Sequence, residues 1–210
     1  MRARFGRLAG LVVMVVSAST ECASAASSDV GVLRLLVHAS GTASAETVIG
    51  ARETVARIYR ELGVAVEWIR VDEGVAPERP GTLAIHLLIR PTAAGISSNA
   101  AAWARALTAP HQNDGTILVF FDRVVRGAHR YKQPPGVLLG YTLAHEIGHI
   151  LLPFPAHAAT GIMRADWDGD DIRCLASGSL TFTPAQVDLI RAKLASCCSP
   201  FLVTPVTRER

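Results

Sequence analysis

With 210 residues, half of them apolar and 19% charged, the chain can bury a sizeable core as one globular domain, which excludes a disordered or fibrous protein. Its formal charge of +3 comes with no basic cluster or stripe visible along the sequence, so nucleic acid is not an expected partner.

The N-terminus reads Met1-Arg2-Ala3-Arg4-Phe5-Gly6-Arg7, then an apolar run from Leu8 to about Ala18, then Ala23-Ser24-Ala25-Ala26. This is the order of a secretory signal peptide, and the run is too short to span a bilayer. Residues 1–26 are expected to be removed, 27–203 to form the domain and 204–210 to trail as a flexible tail. The mature protein is then secreted or periplasmic, monomeric and not membrane-bound. Removal takes three of the 21 basic and one of the 18 acidic residues, leaving the remainder nearly neutral.

The stretch Val32 to His38 reads as a buried strand between Gly31 and the turn-forming Ser40-Gly41-Thr42. From about Ser44 to Leu62, Val48, Ala51, Val55, Ile58 and Leu62 recur at steps of three and four, predicting an amphipathic helix stopped by Gly63. Val64 to Val71, rich in β-branched residues, is a second strand. Asp72 to Gly81 is a loop, and Leu83 to Ile89 a third strand closed by Pro91. This order implies a right-handed βαβ unit in a mixed sheet, an α/β (α+β) fold class.

Ala93 to Pro110 is weakly patterned, with room for a short edge strand. Ile117 to Phe121 is a clearer strand, and Asp122 to Pro135 reads as a long basic connection. Gly136 to Leu152 is apolar enough to be a buried helix, ended by Pro153 and Pro155. A last helix starts at Thr183-Pro184 and continues through Val187, Ile190 and Leu194 to about Ser196. Cys174, Cys197 and Cys198 lie beyond the signal segment. An exported compartment permits a disulfide from Cys174 to one of the adjacent pair, with the partner not readable.

The chemistry concentrates in His145-Glu146-Ile147-Gly148-His149. Histidines four apart project from one helix face and can reach one ion, and Glu146 beside the first can take a proton from a water held there. From this chain's own His and Glu frequencies, such a match arises by chance about once in a hundred chains of this kind. An open tetrahedral zinc site needs a third protein ligand. His157 is the favoured candidate, with Asp166 and Asp168 as alternatives. The only glutamate after Glu146 is Glu209, near the C-terminus.

Gly161-Ile162-Met163-Arg164 follows, with Met163 six residues past His157. Two zinc histidines on a helix, a turn, a third histidine and a tight methionine-bearing turn resemble the metzincin clan of zinc peptidases, in its matrixin-like branch. The resemblance spans residues 30 to 196. It implies a zincin-like sheet, zinc on His145, His149 and His157, Glu146 as general base, and Met163 as a hydrophobic floor beneath the metal. The chain departs from the clan's pattern at two positions. Leu152 stands where the clan has glycine and Pro155 where it has the third histidine, so His157 arrives two residues late.

The leading expectation is therefore a zinc metalloendopeptidase acting on peptide or protein substrates. A zinc-stabilised binding module without catalysis, and a zinc hydrolase acting on a cell-envelope amide, remain alternatives. Tyr141 is expected to pack on the helix, and Asp166 to Asp171 to form a solvated acidic turn rather than a calcium loop. His38, His86, His111 and His129 have no paired spacing and read as ordinary histidines. Trp68, Trp103 and Trp167 read as packing residues.

Overall fold

A computed structural model describes residues 31–39, 43–71, 83–90, 102–108 and 115–198. The expected signal segment 1–26, the expected tail 204–210 and His111 lie outside the described residues, as does the side chain of Cys198.

Five strands, β1 (Gly31–Ala39), β2 (Val64–Arg70), β3 (Leu83–Arg90), β4 (Ala104–Thr108) and β5 (Gly115–Phe120), form one sheet in the order β2-β1-β3-β5-β4. All pairings are parallel except that of β4 with β5. The helices are α1 (Ala45–Glu61), α2 (Phe121–Tyr131), α3 (Pro135–Leu151), α4 (Gly169–Ser177) and α5 (Pro184–Cys198). The fold is thus a mixed α/β arrangement with a mostly parallel sheet, and β1, α1 and β2 form the expected βαβ unit of parallel neighbours.

Period two decides the sheet's faces. Leu33, Leu35 and Val37 of β1, Ile85, Leu87 and Ile89 of β3, and Ile117 and Val119 of β5 point into the shared core with the helices. Alternate residues point the other way. There Arg34 is buried with its Nε 3.4 Å from Glu67 of β2. His38 and His86, expected to be unrelated, stack with a 3.0 Å contact between Nε2 and Nδ1.

Helix α1 starts at the Ser44 cap, whose side chain accepts from the Thr47 N–H, and the chain leaves it through Gly63 at φ 72. Helix α3 opens with Pro135, whose missing N–H costs nothing at that position, and it is buried along most of its length. Helices α1 and α3 meet with almost no side chain between them. A Cβ on Gly136 would lie 2.8 Å from the Thr47 carbonyl, and one on Gly140 would overlap Thr54. Thr54 is itself held by a 2.8 Å bond to the Gly50 carbonyl.

Two helices replace expected loops. The basic connection after β5 is α2, which buries Phe121, Val124, Gly127 and Ala128 and ends at left-handed Lys132. The expected acidic turn is the start of α4. There Asp168 accepts from the N–H groups of Asp170 and Asp171, the Asp171 side chain returns to the Asp168 N–H, and Ile172 and Leu175 are buried. Among the described residues Cys174 and Cys197 carry free thiols and are not joined to each other. Arg57 joins α1, α3 and α4 by donating to Tyr141 Oη at 2.8 Å and to the Gly178 carbonyl at 2.9 Å. Tyr141 is packed on the helix, as expected.

Candidate metal centre

The apolar sequence of α3 forces it into the core, and one face of its C-terminal half opens on a cleft of about 1330 Å³. His145, Glu146 and His149 line that cleft. His145 Nε2 and His149 Nε2 stand 3.1 Å apart. The helix ends at Leu151, and Leu152 takes an ordinary extended conformation at φ −93 and ψ 148, so no glycine is required there. The chain then passes Pro153, Phe154 and Pro155 and brings His157 back. Its ring centroid lies 5.4 Å from that of His145 and 4.7 Å from that of His149.

One ligand atom from each of His145, His149 and His157 lies within 4.8 Å of the others, and this group could bind a metal ion. Among the described residues the alternatives are not part of it. Asp168 is occupied as the α4 cap and by Arg164, and Asp166 lines the cleft outside the histidine group.

Gly161 to Arg164 forms a closed turn, with the Arg164 N–H donating to the Gly161 carbonyl at 3.0 Å. Gly161 has φ 78, and a Cβ there would strike the Thr181 carbonyl, so the position needs glycine. The turn holds the site at two points. The Ile162 carbonyl accepts from His145 Nδ1 at 2.8 Å, and the Met163 carbonyl accepts from the Ala158 N–H at 2.9 Å, next to His157. Met163 is fully buried, its sulfur against Gly148. Beneath the turn, Arg164 bonds Asp168 and Asp171 and so fixes it to α4.

The electrostatics suit metal binding. Burial lowers the His145 pKa, although the bond to Ile162 opposes it. His149 falls to about 4 because it is buried and faces the other two imidazoles. Both rings are therefore neutral, the form that ligates, at neutral pH. Burial pushes Glu146 up to about 7, against the Ala106 N–H, which donates to Glu146 Oε2 at 2.6 Å, and the nearby charge of Arg105. That bond ties β4, the edge of the sheet, to the helix carrying the histidines.

Sequence reading missed several neighbours. Trp167 packs 6.0 Å from the His145 ring and 5.8 Å from Trp103, and its Nε1 donates to the same Ile162 carbonyl at 3.2 Å. Trp103 lies against Gly127 of α2, so α2 closes one wall of the cleft. No protein-family model matches the chain, and no curated protein shows significant similarity to it.

Proposed function

We propose that the chain is an exported, metzincin-like zinc metalloendopeptidase, with zinc held by His145, His149 and His157. The observation that carries this reading is the convergence of three imidazoles beside a buried carboxyl group on one cleft wall. A tetrahedral zinc with nitrogen ligands sets them roughly 3.3 Å apart. The 3.1 Å separation of His145 and His149 is compatible with such an ion, and three protein ligands leave a position open. The closed turn at Gly161 to Arg164, with Met163 packed one residue before His149, supports the likeness to metzincins.

When bound, zinc would supply Lewis acidity, acidifying a coordinated water and polarising a scissile carbonyl. The chain's own groups account for the rest. Glu146, with a pKa near 7, can accept a proton at neutral pH and return it to a leaving amine. The Ala106 bond holds one of its oxygens and thereby orients the other. Ile162 fixes the His145 ring. An extended peptide suits the edge strand β4, whose outer rim lies beside Glu146. A binding module has no use for a proton acceptor placed there.

The test is Glu146→Gln. Metal content and fold should match the parent while peptide hydrolysis falls by at least about 100-fold. Unchanged turnover in that variant would remove Glu146 from the chemistry, and no turnover in the zinc-loaded parent across a broad peptide library would remove the peptidase reading.

A further inference from the structure

Helix α2 turns one face to the core through Phe121, Val124 and Ala128. On the side turned away from the core, Arg123, Arg126 and Arg130 recur at steps of three and four and line the cleft. Arg105 of β4 lines it too, near enough to Glu146 to lower its pKa. With Arg164, five arginines among the described residues face the cleft against two described carboxyl groups, Glu146 and Asp166, whereas the whole chain has 21 basic and 18 acidic residues. The imbalance is therefore local, and the basic connection expected after β5 supplies three of the five arginines. Arg164 is committed to Asp168 and Asp171. Arg126 pairs with Asp122 at 2.9 Å, but an exposed pair across one helical turn holds its partners weakly.

We propose that the cleft selects acidic peptides, with Arg105, Arg126 and Arg130 as specificity-determining residues that receive carboxylate side chains of the substrate. This rests on the peptidase reading above. From Arg123 to Arg130 the stripe runs roughly 10 Å, the length of about three residues of extended peptide. A guanidinium fork matches a carboxylate in two parallel hydrogen bonds. Elsewhere the cleft is lined by Ile150, Leu152 and Phe154, the last 97% exposed. Those apolar groups suit peptide side chains and not a continuous run of phosphates.

Binding is measured by fluorescence anisotropy on the zinc-loaded, full-length E146Q chain, with paired peptides that differ only in Glu against Gln. The Glu peptide should bind about tenfold more tightly, and the gap should close in about 0.5 M salt. The triple variant R105Q/R126Q/R130Q should lose the preference. All three side chains are exposed, and circular dichroism checks that the fold is kept. Equal affinity for the two peptides, or a preference surviving in the triple variant, overturns the proposal. A single-stranded oligonucleotide that binds more tightly than the Glu peptide overturns the peptide class. An acidic preference in E146Q without hydrolysis by the parent sinks the peptidase reading and leaves the ligand class standing. Hydrolysis by the parent without preference sinks this proposal alone.

Discussion

The ring of His145 is tied to the backbone of Ile162 by a 2.8 Å bond from Nδ1 to the carbonyl. A carbonyl only accepts, so Nδ1 carries the proton and Nε2 is left facing His149. The methionine-bearing turn thus fixes the tautomer of the first histidine. Gly161→Ala should disturb this through the left-handed backbone and the Thr181 carbonyl. The expected result is a loss of about 1–3 kcal/mol of stability and metal binding weakened about 10- to 100-fold. Denaturant unfolding and chelator competition measure the two effects, and an unchanged metal affinity would mean that the turn does not govern His145.

His157 is the most exposed of the three histidines and reaches the others across a prolyl turn. His157→Ala should leave the fold intact and weaken metal binding by more than about 100-fold, beyond what removing a residue that merely orients a ligand costs. Metal per chain after matched dialysis reads this directly. Full occupancy in the variant would exclude His157 as a ligand.

Gly140→Ala should destabilise the protein even though alanine is the better helix former. The added methyl overlaps Thr54, which cannot turn aside without giving up its bond to Gly50. Overpacking outweighs the propensity gain, for a net loss on the order of 1–2 kcal/mol. A midpoint of urea unfolding equal to the parent's would show that α1 and α3 can move apart freely.

In the chelator-treated protein, Glu146 makes stability depend on pH. Its pKa, about 7 against an ordinary 4.5, means the folded chain holds the proton more tightly than the unfolded chain. This contribution is complete below about 4.5 and is lost as pH rises toward 7. His149, lowered to about 4, has the opposite sign, its contribution present above 6.5 and lost as pH falls toward 4. Glu146→Gln removes only the first, so the stability of the metal-free variant relative to the parent should rise between pH 4.5 and 7, by at most about 3 kcal/mol. A difference that stays flat across this window contradicts the burial of an ionised Glu146.

The sequence was most legible where one element carried its own periodicity. Helix α1 and strands β1, β2 and β3 stand within a residue or two of their expected bounds. Helix α2 was hidden because Asp122, Arg123, Arg126 and Arg130 outnumber the apolar residues that mark its buried face. Helix α4 had a readable signal, the Asp168 and Asp171 capping pair followed by Ile172 and Leu175, but the acidic run masked it. Strand β4 buries little beyond Ala104, too small a side chain to announce a strand. The pairing of His38 with His86 depends on sheet register across 48 residues. The partners of Glu146 and His145 are backbone groups of Ala106 and Ile162, which almost any residue there would supply, so no residue type could reveal them.

The close approach at Gly136 and Gly140 has a meaning beyond packing. At about 100° per residue, Gly136 lies about 180° around the helix from His145, and Gly140 about 140° from it. A helix seated so tightly on its far side is indexed like a key in its slot, unable to roll without driving backbone into backbone. The aim of the two imidazoles is thereby set by positions that carry no side chain and never touch the cleft.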